Sequence, residues 1–189
     1  MFAIFDTLRY YRAWKSPRFR QICRYFDMTS KSHPLDLFDV RLLAAIQSNA
    51  ELTQTELSQV VNLSAAQCSR RLDRLRSEGL IQNVVAILNP EKLGFSVVAH
   101  TLVSLRSHTE EGNAQLHRFI ETAPEILECY SQTGDADFLM KIVASDLDHL
   151  SIFLERMIKV TGGLASVTSS IVLRTIKKST ELPLQIIQT

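Results

Sequence analysis

From Thr53 to Gly79 the chain reads TQTELSQVVNLSAAQCSRRLDRLRSEG, and this stretch decides the fold of the N-terminal half. Thr53 and Glu56 form a capping-box pair ahead of Leu57, Val60 and Val61. The hydroxyl and the carboxylate each satisfy a backbone N–H that the first helical turn leaves without a partner. Ser64 and Gln67 repeat the device ahead of Leu72 and Leu75, and Gly79 stops the run. Between the two helices Asn62 sits where the chain must turn sharply, and Asn tolerates the left-handed conformation better than any residue except Gly. Two short helices joined by such a tight connection read as a helix-turn-helix.

On a helix advancing about 100° per residue, Ala65, Cys68, Leu72 and Leu75 share one arc, Gln67, Arg70 and Arg74 lie nearly opposite, and Arg71 lies beside them. An Arg fork matches guanine O6 and N7 or clamps a phosphate, and Gln pairs with adenine. Gln67, Arg70, Arg71 and Arg74 are therefore expected to contact double-stranded DNA in the major groove. Ser64, at the helix start, is expected to donate to a phosphate, where free N–H groups and the helix dipole favour an anion. Arg76 projects toward the apolar arc and is expected to pack its stem or pair with an acid. A merely solvated charged face is the competing meaning, and the capped turn ahead of the helix weighs against it.

Working outward, Leu35, Phe38, Leu42 and Ile46 recur at helical spacing and predict a first helix. The Ile/Val-rich Ile81 to Leu88 predicts a small β wing, so a winged helix-turn-helix is expected over 35–88. Residues 89–93 (Asn-Pro-Glu-Lys-Leu) break the pattern as a hinge. Across 94–177, Val97 to Leu105 alternates, and Leu116, Phe119, Ile120 and Ala123 share a helical face. Ile126 to Thr133 and Phe138 to Val143 are extended around a Gly134-Asp135 turn. Asp146 caps a helix that Gly162-Gly163 ends, and Val167 to Ile176 predicts a last strand. The order βαββαβ is a ferredoxin-like plait, which makes the chain α+β overall. Residues 178–189 form a polar and Leu-Pro tail.

With 189 residues and 46% hydrophobic side chains, the chain can bury a proper core. No apolar run reaches the roughly 18 to 20 residues of a membrane helix, and the N-terminus lacks a secretory apolar core, so no membrane partner and a cytoplasmic location are expected. Cys23, Cys68 and Cys129 fit neither a disulfide framework nor a metal spacing and read as reduced thiols; no metal or cofactor is expected. Residues 1–34 carry seven Lys/Arg against two Asp, while the remainder is net −4. That basic, aromatic segment is expected to be a disordered extension or the product of a start upstream of the true one at Met28; a DNA-binding or oligomerisation arm is the alternative. Because the globular part is mildly acidic, nucleic-acid binding must come from a local basic face.

The residues assembled in order resemble one family. Leu35-Asp36-x-x-Asp39, Leu63-Ser64, Arg71-x-x-Arg74-Leu75, Gly79-x-Ile81 and Leu88-Asn89-Pro90 are similar to the leucine-responsive and asparagine regulators (Lrp/AsnC) of prokaryotes. Gly134-Asp135-Ala136-Asp137-Phe138-Leu139-Met140-Lys141 resembles that family's effector loop. Val167 to Ser170 with Lys177, Thr180 and Leu182-Pro183-Leu184 resembles the end of one subgroup. The resemblance covers about 35–184. It implies a transcriptional regulator whose plait pairs chains back to back into homodimers and larger rings such as octamers, and senses an amino acid at a subunit interface. By the same resemblance Gly134, Asp135 and Asp137 line the effector pocket, with Thr168, Ser169 and Ser170 as partners. The structural alternative is a hairpin turn and ordinary strand residues.

Two other functional classes are compatible with this architecture. A haem-pathway decarboxylase of the same architecture would need gathered basic or histidine groups, but His100, His108, His117 and His149 show no metal spacing and no nucleophile-base pair, so no enzyme is expected. An architectural DNA-binding protein without an effector is the second alternative.

Overall fold

The computed structural model describes residues 35–106, 110–184 and 186, with the side chains of 110–113 excepted; the expected basic extension at 1–34 lies outside the described residues. Three helices open the described chain, each started by a capping box. α1 (Leu37–Ser48) begins at Asp36, whose carboxylate accepts from the Asp39 N–H at 2.8 Å while the Asp39 carboxylate accepts from the Asp36 N–H at 3.2 Å. α2 (Gln54–Val61) starts at Thr53 with Glu56, and α3 (Ala65–Ser77) at Ser64 with Gln67, both as the sequence leads one to expect. Asn62 ends α2 in the left-handed region at φ 59°, ψ 47°. At φ +75°, Gly79 lets the Leu80 N–H reach the Leu75 carbonyl at 2.9 Å, which closes α3.

Leu42, Leu57, Val61, Cys68, Leu72 and Leu75 bury one another between the three helices. Each large side chain so buried is worth about 1.5–3 kcal/mol relative to exposure. Ala65, expected in the buried arc, is exposed, because the first turn of α3 from Ala65 to Gln67 stands clear of that core.

The second unit runs β1 (Val97–Leu105), α4 (Glu110–Thr122), β2 (Ile126–Ser131), β3 (Phe138–Ala144), α5 (Leu147–Thr161) and β4 (Leu164–Ile171). The sheet order is β2-β3-β1-β4 with every neighbour antiparallel, which is the expected plait. Strand alternation sends Ala99, Thr101, Val103, Met140 and Ile142 toward Leu116, Phe119, Leu150 and Phe153 of the helices. His100, Leu102, Leu139 and Lys141 occupy the other sheet face.

The last strand was expected over Val167 to Ile176 but lies at Leu164–Ile171. Its pairing with β1 runs from Leu105↔Leu164 to Ala99↔Ile171, and after the Val172 N–H meets the Val98 carbonyl at 2.9 Å its partner strand is used up. The wing expected over Ile81 to Leu88 is chain without a ladder among the described residues. The segment contains no turn on which to fold back, and among the described residues no other strand lies beside it to pair with. Pro90 instead opens a single 3₁₀ turn, Glu91–Leu93.

The tail does more than close the chain. It joins the N-terminal unit: among the described residues, Leu35–Val84 and the tail from Thr180 form one compact unit, and the stretch from Val85 to Ser179 forms the other. The Gln47 amide of α1 holds Leu182 at two points, donating from Nε2 to its carbonyl at 2.9 Å and accepting at Oε1 from its N–H at 3.0 Å. Leu184 is buried two residues on. Gln47→Ala removes both bonds, each worth about 0.5–1.5 kcal/mol. Amide exchange at Leu182 and proteolysis of the tail should accelerate in this variant while the helix content read by circular dichroism stays unchanged.

Candidate nucleic-acid interface and effector site

The first site lies on α3. Gln67, Arg70, Arg71 and Arg74 line an open cleft of about 330 Å³ together with Asp36. The five side chains expected to touch DNA divide into two groups there.

Arg71 and Arg74 already hold carboxylates. Arg71 Nη1 donates to Asp36 Oδ2 at 2.6 Å and to Asp39 Oδ1 at 2.8 Å, and Arg74 Nη2 donates to Asp39 Oδ2 at 2.5 Å. The Arg71 guanidinium also lies 5.6 Å from the centroid of the Phe38 ring, within cation–π range. Asp39 is 1% exposed, against 28% for Arg71 and 45% for Arg74. A carboxylate so buried is tolerated only when paired and hydrogen-bonded, and here three donors converge on it, the two guanidinium groups and the Asp36 N–H. The hydrogen bonds to Asp39 and then Asp36 raise the Arg71 pKa further above its ordinary value. For Asp36, partial burial pushes upward, but the Asp39 N–H and the Arg71 guanidinium outweigh it and hold the carboxyl below its usual value.

Arg70 is exposed, and among the described residues it makes no ion pair. Gln67 spends its Oε1 on the Ser64 N–H and hydroxyl, both at 3.0 Å, and its Nε2 enters no bond among those described. The Ser64 hydroxyl caps the Gln67 N–H at 3.3 Å. Arg76 pairs with Asp73 at 3.3 Å, an acid one turn back on its own helix. Asp39 is the residue that sequence reasoning missed as a partner. A signal existed: it lies beside Phe38 and three residues before Leu42, on the core side of α1, where a carboxylate demands a cation.

The second site lies at one end of the plait. Gly134 takes φ +131°, and no atom within 4 Å would meet a Cβ there, so the backbone conformation rather than crowding calls for glycine. Asp137 ties the loop to β1: its Oδ2 accepts from the Leu105 N–H at 2.8 Å and its N–H donates to the Val103 carbonyl at 2.9 Å. The Asp135 carbonyl accepts from the Ser104 hydroxyl at 3.1 Å, and the residue is exposed.

Thr168, Ser169 and Ser170 do not act as one set. Alternation turns Ser169 to the helix-covered side, where its Oγ meets the fully buried Thr101 Oγ1 at 2.9 Å, while Thr168 and Ser170 share the open face, in register with Leu102 and His100. The loop precedes β3 and the Thr/Ser pair is on β4, on opposite sides of β1. On the open face Lys141 Nζ meets Glu128 Oε1 at 2.6 Å and the Tyr130 hydroxyl donates to Glu128 Oε2 at 2.9 Å; these two bonds, Lys141 first, hold the Glu128 pKa down.

With both halves described, the comparisons with known proteins decide the family. A winged helix-turn-helix DNA-binding model matches residues 35–82, and the Lrp/AsnC ligand binding domain matches 98–182. The chain belongs to the Lrp/AsnC family of transcriptional regulators. The DNA-binding transcriptional activator DecR of Escherichia coli is 33% identical over 80% of this chain and 99% of its own length. The Bkd operon transcriptional regulator of Pseudomonas aeruginosa is 31% identical over 79% and 98%. Among solved structures, the transcriptional regulator NMB0573/L-Met complex of Neisseria meningitidis superposes with a TM-score of 0.77 at 32% identity, covering 81% of this chain and 99% of that one. This Lrp/AsnC protein is thus an effector-responsive DNA-binding regulator of α+β fold.

Arg70→Ala should lower operator affinity about tenfold or more with an unchanged thermal midpoint, since among the described residues the side chain makes no ion pair. Arg71→Ala should instead cost about 1–2 kcal/mol of stability in urea titrations, discounted for its partial exposure.

Because the Asp36 pKa is depressed on folding, its contribution is present above the ordinary aspartate value of 3.8 and is lost as pH falls through the folded value. Thermal melts of the full chain stepped downward in pH from 5 should show that loss, and Asp36→Asn should remove its share.

Proposed function

We propose that an amino acid binds between copies of the plait and thereby changes how many reading helices, at what spacing, are presented to DNA. The observation that carries this reading is the separation of the Gly134–Asp137 loop from Thr168 and Ser170 by β1. Two strand spacings are about 10 Å, too far for one small zwitterion to span within a single chain. A second chain stacked on the open sheet face brings a complementary copy of each set. Asp135 is the ammonium partner in this reading, Thr168 and Ser170 donate to the ligand carboxylate, and Gly134 and Asp137 hold the loop in shape. The L-Met complex of the Neisseria regulator supports an amino acid as the ligand class.

In this reading the working molecule is a homodimer that gathers into larger rings such as octamers, and 35–88 reads DNA while 94–177 senses and assembles. Two-fold pairing sets the two reading helices about one DNA turn apart, or a multiple of it, on a roughly palindromic site. It acts in the cytoplasm and catalyses no reaction. The ligand shifts assembly only to the extent that it binds one assembly more tightly than another.

Titration calorimetry with L-methionine and the other common L-amino acids, paired with sedimentation of the same samples, tests this. Asp135→Asn should weaken binding about tenfold or more, and joint Thr168→Ala and Ser170→Ala should weaken it further. Undiminished binding in these variants, or a ligand that binds without altering assembly size, would sink the proposal.

A further inference from the structure

The DNA-binding half is not a basic module. Between Leu35 and Val84 there are five arginines and no lysine, against Asp36, Asp39, Glu51, Glu56, Asp73 and Glu78, a net charge of −1. The imbalance is local as well. Of the four arginines on α3, Arg71 and Arg74 hold Asp36 and Asp39, Arg74 also lies 3.9 Å from Glu78, and Arg76 holds Asp73. Among the described residues only Arg70 on that helix is outside an ion pair.

We propose that Asp39, seconded by Asp36, is a positioning residue for DNA recognition. It locks the Arg71 and Arg74 forks on α3 and cancels their charge, leaving Arg70 and Gln67 to discriminate bases. Sequence-independent affinity comes from cations that displace counterions at phosphates, so each arginine committed to a carboxylate is withdrawn from that term. A fork that keeps its carboxylate shows phosphate a neutral pair, and one that takes phosphate must first abandon a buried charge. Base contacts by Arg70 and Gln67 carry no such penalty. The head therefore holds random DNA weakly and draws its selectivity from a raised ratio of specific to non-specific binding, the quantity that matters against a genome of competing sites. Locking the two forks also holds α3 against α1, which keeps Arg70 in a fixed position relative to the helix-turn-helix. The inference rests on α3 being the helix that meets DNA.

The test uses the full chain, unsubstituted and as Asp36→Asn, Asp39→Asn and Arg70→Ala. Two probes are needed: a random-sequence duplex and the preferred duplex selected by the unsubstituted chain from a random pool. Affinity is measured against salt for each. Asn caps a helix as well as Asp does, so Asp36→Asn removes charge while keeping the start of α1. On the random duplex, the slope of log affinity against log salt should steepen by roughly 0.5–1 for Asp36→Asn and by about 1–2 for Asp39→Asn, with low-salt affinity rising about 3–10-fold. The specific to non-specific ratio should fall in both. Any net contribution from residues 1–34 is common to every variant and cancels. An unchanged or shallower slope, with both duplexes weakened in parallel, would mean a purely structural role and overturn the proposal. Should Asp39→Asn fail to fold by circular dichroism, the slope of Asp36→Asn decides alone. Arg70→Ala separates the two layers: unchanged base preference there would overturn the assignment of α3 itself rather than the role of the carboxylates.

Discussion

A carboxylate buried to 1% exposure at the centre of a small helical unit needs its charge answered, and the answer organises the DNA-reading half of this protein. Asp39 closes the capping box of α1 and, through Arg71 and Arg74, binds the first helix to the third. Because the ions are partly desolvated, losing either side would strand charge in a poor solvent, so the arrangement is maintained by penalty as much as by attraction. Helix packing through Leu42, Leu72 and Leu75 supplies the larger share of stability, but it is non-directional. The ion pairs are directional, and they fix the outer face of α3, the face proposed to meet DNA.

The plait faces a comparable constraint in its strand order. With β1 central between β3 and β4, whatever lies at the β2–β3 turn and whatever lies on β4 are held apart within one chain. The pleat adds a second division, since Ser169 is drawn inward to Thr101 while its neighbours on either side face outward. On the proposed reading, an amino acid that uses both regions takes them from two copies, and assembly then becomes part of the binding equilibrium rather than a consequence of it.

The tail belongs to the reading unit and not to the plait. The chain leaves the N-terminal unit near Val84 and returns to it at Thr180, where Gln47 recognises the Leu182 backbone rather than any side chain.

How much of this was legible in the sequence follows from the range of the forces involved. The three helices of the reading unit, the left-handed Asn62, the glycine stops and the βαββαβ order depend on interactions over a few residues or on periodicity, and these are visible along the chain. The cap formed by Thr53 with Glu56 and the one formed by Ser64 with Gln67 were readable for that reason, as was the outward set of Gln67 and Arg70. Where the strands end was not: β4 stops where β1 runs out of residues to pair, and the expected wing has no neighbour among the described residues, both facts about other segments. The aspartate partners of Arg71 and Arg74 lie 32 to 35 residues away, and the partner of Gln47 lies 135 away. Sequence alone thus determined the local elements and the family, and it named the residues from which the candidate sites are built. Only the tertiary structure decided which arginines of α3 are tied to carboxylates, because a side chain's availability depends on the charges that folding brings beside it, and spacing along the chain does not record them.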